Sequence, residues 1–261
     1  MSSTAFVSTL PTLRDRLAAS SELVVGTFVT LPAPGIAELF GLAGYDFIIV
    51  DMEHTTISDA ELENLVRGAA VAGAVTLARV FDPSPESVIR TLATGVDGIL
   101  FPLVETADEA RAAVSTLRLP PRGVRGWATL TRAAGYYMGR DRPHEPFCAI
   151  QIETKKAVDN VDEIVEVEGV EMVFLGPGDL RSSIVGEGFT GDQVDEELQS
   201  AIARVVAKWE GRQSPVLGVP PTYPTLRWDR KTCTDRGVRA ITLGSDVAFL
   251  AGAAKKGIEE F

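Results

Sequence analysis

The chain has 261 residues, of which 45% are hydrophobic and 23% charged, with a formal net charge of −11. That is ordinary globular composition for one large or two small domains, and its acidity argues against a nucleic-acid or anionic-membrane surface. Two cysteines, Cys148 and Cys233, are too few for a disulfide framework and lack metal-site spacing. The first residues show no basic segment before a long apolar core, and apolar runs such as 68–75 fall short of a membrane span. A soluble, cytoplasmic protein is expected.

Apolar runs predict strands at residues 23–31, 46–52, 75–81, 98–104, 147–152, 172–175, 216–219 and 240–243. Helical spacing falls between them, at 35–43, 59–72, 86–94, 108–117, 158–167, 194–210 and 225–236, and an eighth helix at 247–260 closes the chain. Ser58 and the Ser84-Pro85-Glu86 stretch are good helix starts; Gly44, Gly73, Gly95, Gly169 and Gly237 are good stops. Eight strand–helix units match a closed (β/α)8 barrel. The first strand is not followed by a Gly-rich phosphate loop, which weighs against an open doubly wound sheet. No linker divides the chain, so a single domain over 1–261 is expected. The one long irregular connection, residues 120–146, holds Arg122, Arg125, Trp127, Arg132, Tyr136 and Tyr137 and reads as a lid-like loop.

Chemistry in a parallel barrel collects at the carboxyl ends of its strands. The second strand ends in Asp51-Met52-Glu53-His54, the third holds Arg79, the fifth ends at Glu153, and the sixth runs into Gly176-Pro177-Gly178-Asp179. In Ile150-Gln151-Ile152-Glu153 the alternation turns the polar pair inward and the isoleucines toward the helices. Glu153 and Asp179 on one rim repel each other unless a cation lies between them, which points to a metal site. Any one such carboxylate is as easily a helix cap or ion-pair partner. Arg79 among apolar neighbours must find an anion. His54 near Asp51 can be oriented as a general base. His144 reads as solvent-facing, and Glu105 as leading into a helix. The Gly-Pro-Gly turn can offer backbone N–H groups to an anion, or be only a tight turn.

These segments, with Gly123-Val124-Arg125-Gly126, resemble in order and spacing the HpcH/HpaI aldolases, metal-dependent (class II) pyruvate aldolases of the phosphoenolpyruvate/pyruvate barrel superfamily. The similarity runs from about Gly26 to the C-terminus. It implies Glu153 and Asp179 as ligands of a divalent cation (Mg2+, Mn2+ or Co2+), with Asp51 near the metal's water shell. It implies His54 as the base, paired with Asp51, and Arg79 as the group that stabilises the enolate oxygen. Gln151 would contact substrate, and the backbone at Gly178 and Asp179 would receive the pyruvate carboxylate. The family commonly has Gly where Met52 stands and Ala where Gly178 stands. Met52 either narrows the pocket or points outward.

The activity so implied is cleavage or formation of the C3–C4 bond of 4-hydroxy-2-oxo acids, giving pyruvate and an aldehyde, with Arg125 and the 127–137 loop expected at the aldehyde portion. Oxaloacetate decarboxylation and a CoA-ester lyase use the same enolate. A Schiff-base aldolase would need Lys155 or Lys156, and a non-catalytic metabolite-binding barrel also remains open. By family analogy the protein is a homo-oligomer, trimer or hexamer. Its apolar C-terminal helix packs either on a partner, as relatives exchange it, or on its own barrel.

Overall fold

A computed structural model describes residues 10–138 and 145–261. His144 lies outside them. Eight parallel strands form a closed barrel in sequence order: β1 (Val24–Val29), β2 (Phe47–Asp51), β3 (Val75–Arg79), β4 (Gly98–Phe101), β5 (Phe147–Ile152), β6 (Met172–Leu175), β7 (Val216–Val219) and β8 (Val238–Ser245). Helix α1 (Leu13–Ala19) precedes the barrel. Between strands run α2 (Pro34–Leu42), α3 (Asp59–Val71), α4 (Pro85–Ala93), α5 (Ala107–Leu117), α6 (Lys155–Asp159), α7 (Val161–Ile164), α8 (Pro177–Gly186), α9 (Asp192–Ala207) and α10 (Arg230–Asp235); α11 (Asp246–Glu259) ends the chain. The fold is the expected (β/α)8 barrel.

Strand alternation divides the apolar residues into two layers. Phe47, Ile49, Leu77, Leu100, Phe147 and Phe174 fill the barrel interior. Ile48, Val50, Ala78, Ile150 and Ile152 face the helices. The inner layer is closed at the amino end of the strands by α1, whose Leu13 and Leu17 join it. Sequence patterning misses α1 because its seven residues span only about two turns, and one pair of buried leucines makes no sustained periodic signal. Its capping box, Thr12 with Asp15, is the signal that could have found it.

The predicted helix at 158–167 is instead the pair α6 and α7, broken at Asn160, and the one at 225–236 shortens to α10. The described parts of the 120–146 connection, residues 120–138 and 145–146, run between α5 and β5 and so lie at the amino end of the strands, away from the carboxyl-end rim. There it helps line a cavity of about 700 Å3 with the starts of β3 and β4, and Arg125, Trp127, Arg132 and Tyr136 are among the lining residues. Its described residues therefore form no lid over this chain's own rim. The expectation that Arg125 and the 127–137 stretch touch the aldehyde at that rim is corrected: a segment entering the start of a strand is at the wrong end of the barrel.

Helix α11 buries only Asp246. That carboxylate accepts the N–H groups of Thr30 and Leu31, at 2.9 and 2.8 Å, and the Thr30 hydroxyl at 2.7 Å. Val247, Phe249, Leu250 and Ile258 remain exposed. No helix among the described residues is long and apolar enough to cross a membrane.

Candidate active site

The carboxyl end of β2 turns Asp51 into the barrel because Phe47, Ile49 and Asp51 share one face while Ile48 and Val50 share the other. Met52 continues the outward face and packs against the helix-side core, so it does not narrow the pocket. Arg79 ends β3 directly beside Asp51 in register. Its Nε and Nη2 donate to the two carboxylate oxygens of Asp51 at 3.1 and 2.7 Å, and its guanidinium lies 5.2 Å from the Phe28 ring centroid. Both side chains are buried. Burial opposes the charge on Asp51, but the hydrogen bonds and charge of Arg79, with the backbone N–H groups of His54 and Glu53, outweigh it and hold the carboxyl below its ordinary range. Burial likewise opposes the charge on Arg79, and Asp51, Glu53 and Glu153 more than offset it.

Glu53 also joins this rim, a residue to which the sequence pattern assigns no role. Its Oε2 lies 3.3 Å from Arg79 Nε and 3.6 Å from His54 Nε2. Burial, aided by Asp51 and Asp179, raises its pKa against the pull of Arg79 and His54. The expected His54–Asp51 pairing takes a different form. Asp51 accepts the His54 backbone N–H at 3.2 Å, its carboxylate is engaged by Arg79, and the imidazole faces Glu53 instead. The signal in the sequence is adjacency alone, since two residues past a strand end the chain has turned back toward the barrel mouth.

On β5, Gln151 and Glu153 point inward and are buried. Gln151 donates from Nε2 to Glu153 Oε2, and the Leu103 backbone N–H donates to Glu153 Oε1 at 2.7 Å. Leu103 adopts a left-handed φ of 53°, uncommon outside glycine, which ties the end of β4 to this carboxylate. Burial pushes the Glu153 carboxyl up to about 8; the Leu103 hydrogen bond opposes this, and the negative charges of Asp179 and Glu53 add to it.

Asp179 is not on a strand. β6 ends at Leu175, and Gly176, Pro177, Gly178 and Asp179 form the N-terminal turn of α8, a helix that the apolar spacing does not announce. Pro177 at its first position suits a helix start. Gly176 is required by close approach: a Cβ there would lie 2.5 Å from Gln151 Nε2 and 2.7 Å from Glu153 Oε2. The unpaired backbone N–H groups of this turn carry partial positive charge suited to an anion.

Four carboxylates, Asp51, Glu53, Glu153 and Asp179, thus share electrostatic influence on one rim, and the guanidinium of Arg79 that faces them is already paired with Asp51. Glu53 Oε2 and Gln151 Oε1 are buried without a hydrogen-bond partner. Surplus acceptors and surplus negative charge fit a cation held by Glu153 and Asp179. Among the described residues no group of three or more His, Cys, Asp or Glu side chains forms a metal cage by itself.

The lysines sit elsewhere. Lys156 Nζ donates to Glu105 Oε2 at 2.9 Å, and Lys155 faces Glu187 and Glu197 at 3.8 and 3.6 Å. Neither presents a free amine to the rim. Glu105 is held by Lys156 and by the Thr154 hydroxyl.

Comparison with known proteins places the chain in a family. A 2-dehydro-3,6-dideoxy-6-sulfogluconate aldolase of Pseudomonas putida is 33% identical over 236 residues, covering 89% of this chain and 90% of its own. A hydroxypyruvate/pyruvate aldolase of Sagittula stellata is 34% identical, covering 75% and 76%. The crystal structure of a HpcH/HpaI aldolase/citrate lyase family protein from Burkholderia cenocepacia superposes with a TM-score of 0.84 at 31% identity, covering 95% and 98%. The family model for HpcH/HpaI aldolase/citrate lyase matches residues 25–252, so the chain belongs to that family and is a carbon–carbon lyase.

Proposed function

We propose that the protein is a metal-dependent aldolase that makes or cleaves the C3–C4 bond of 4-hydroxy-2-oxo acids, with pyruvate as the donor product and an aldehyde as its partner. The observation that carries this is the convergence of Arg79, Gln151, Glu153 and the α8 N-terminal turn on one rim with an excess of carboxylate. Glu153 and Asp179 would hold a divalent cation, which when bound supplies Lewis-acid polarisation of the 2-oxo group. The backbone N–H groups of Gly178 and Asp179 receive the substrate carboxylate, and Gln151 lies beside it.

Arg79 commits Nε and Nη2 to Asp51, so Nη1 is left for the oxygen on which enolate charge develops. Asp51 fixes the guanidinium in that orientation. His54, with its side chain 56% exposed, is open to substrate and takes the proton from the C4 hydroxyl as the C3–C4 bond breaks. Glu53 faces the imidazole that then carries the charge.

The named activities of the relatives, on sulfogluconate-derived and hydroxypyruvate or pyruvate substrates, support a 2-oxo acid donor here. The test is a panel of aldehydes with pyruvate, run on chelated protein with Mg2+, Mn2+ or Co2+ restored. Aldol product that appears only with cation is expected; full turnover in chelator would overturn the reading. Pyruvate release from oxaloacetate without aldehyde checks whether the same enolate serves decarboxylation. We also propose a homo-oligomer in which α11 packs on a partner, supported by its exposed Val247, Phe249 and Leu250. Light scattering that returns the mass of a monomer would remove that part.

A further inference from the structure

The loop after β7 carries a side chain that neither the sequence pattern nor the reaction so far employs. β7 pairs with β6, so its carboxyl-end loop lies beside the α8 N-terminal turn. Tyr223 on that loop reaches the turn: a Cβ built on Gly178 would lie 3.7 Å from the Tyr223 hydroxyl and 3.9 Å from its ring Cε2. The ring packs against the helix-side core. The backbone is fixed by Tyr223 N–H donating to the Pro220 carbonyl at 3.0 Å and by the Leu226 and Arg227 N–H groups donating to the Tyr223 carbonyl at 2.9 and 3.2 Å. Tyr223 is half-buried, and among the described residues its phenol hydroxyl has no hydrogen-bond partner. The hydroxyl is left to donate to whatever sits on the neighbouring turn.

We infer that Tyr223 is a substrate-binding residue that donates from its hydroxyl to the carboxylate of the bound 2-oxo acid, across the space that Gly178 keeps clear of a side chain. This rests on the proposed aldolase reading. Gly178 is not demanded by packing, since an added methyl would make only ordinary van der Waals contact with the phenol. What its absence preserves is an unobstructed path from the hydroxyl to a ligand seated on the backbone N–H groups. A phenol is neutral and donates one proton, so it adds affinity for the carboxylate without competing with the cation for the carboxylates of the rim.

The test is Tyr223→Phe, which removes one oxygen and keeps the ring. Because that oxygen has no hydrogen-bond partner among the described residues, the melting temperature is expected to stay at the wild-type value. Calorimetric titration with oxalate, a planar mimic of a 2-oxo acid enolate, is run on both proteins with saturating Mg2+. The variant is expected to bind oxalate about tenfold more weakly or worse, the scale of one hydrogen bond to a charged group. The KM for pyruvate should rise in step while the KM for the aldehyde holds. Wild-type affinity and KM retained in the variant would overturn the role of Tyr223 and leave the aldolase reading standing. Failure of the wild-type protein to bind oxalate would overturn both.

Discussion

Arg79 ties several groups of the rim together: it neutralises Asp51, leans on Phe28 and stands beside the orphaned oxygen of Glu53. Replacing it with Ala is expected to lower kcat by on the order of a hundredfold or more, typical of one lost transition-state donor. The same change leaves Asp51 buried and unpaired, a situation that costs about 3–5 kcal/mol when it arises in an interior ion pair. Arg79→Lys should therefore be measured alongside it, by steady-state kinetics and urea denaturation. The ammonium restores a charge near Asp51 but cannot reproduce the two-point fork, so stability should recover further than kcat. Gly176 is constrained in a different way. Gly176→Ala drives a methyl into Gln151 and Glu153, where backbone and buried side chains leave little slack. A loss of about 1–3 kcal/mol in unfolding free energy is expected, together with weaker pyruvate binding, because both displaced groups belong to the rim.

The strands and most helices are legible in the sequence because buried parallel strands are continuous apolar runs and the intervening helices carry amphipathic spacing. Elements are lost where that signal is thin. α8 lacks a clear apolar stripe, and its sequence begins with two residues, Pro177 and Gly178, that read as a turn. Without that helix, Asp179 reads as a strand-end residue when it stands in a helix's first turn. The positions of Asp51, Arg79, Gln151 and Glu153 follow from alternation alone, whereas the orientation of His54 toward Glu53 does not, because chain direction beyond a strand end is set by tertiary contacts. The 120–146 connection is misplaced for want of a simple topological step: in this barrel a segment running from a helix to the next strand lies at the amino end. At the other end, the β1 and β8 units are tied together by Asp246, which accepts the backbone N–H groups of Thr30 and Leu31 and the Thr30 hydroxyl, besides the N–H of its neighbour Val247. Asp246→Ala strands those donors and is expected to cost about 1–3 kcal/mol, read as a lower urea midpoint with an unchanged slope.

For the molecule as a whole, the rim makes stability depend on pH and on cation in a linked way. Burial and the neighbouring charges of Asp179 and Glu53 raise the Glu153 carboxyl from its ordinary 4.5 to about 8, so the folded chain holds a proton there that the unfolded chain releases. Between those values the folded state binds more protons than the unfolded state, and stability must fall as pH rises. The contribution is fully present below about 4.5 and is lost as pH climbs through about 8. Asp51 acts with the opposite sign, since its lowered pKa gives stability that is lost only as acid protonates it, below the window in which Glu153 titrates. In chelator the melting temperature is therefore expected to decline between about pH 5 and pH 8. Glu153→Gln should flatten that decline, because the amide is neutral throughout. A divalent cation binds only the ionised carboxylates, so its stabilising effect should grow over the same interval and vanish in the Gln variant. Melting curves at fixed ionic strength, with and without Mg2+, decide the matter: a chelated protein that gains stability from pH 5 to pH 8 would mean that Glu153 is already ionised at the low end and that the carboxylates on this rim are not forcing one another to hold protons.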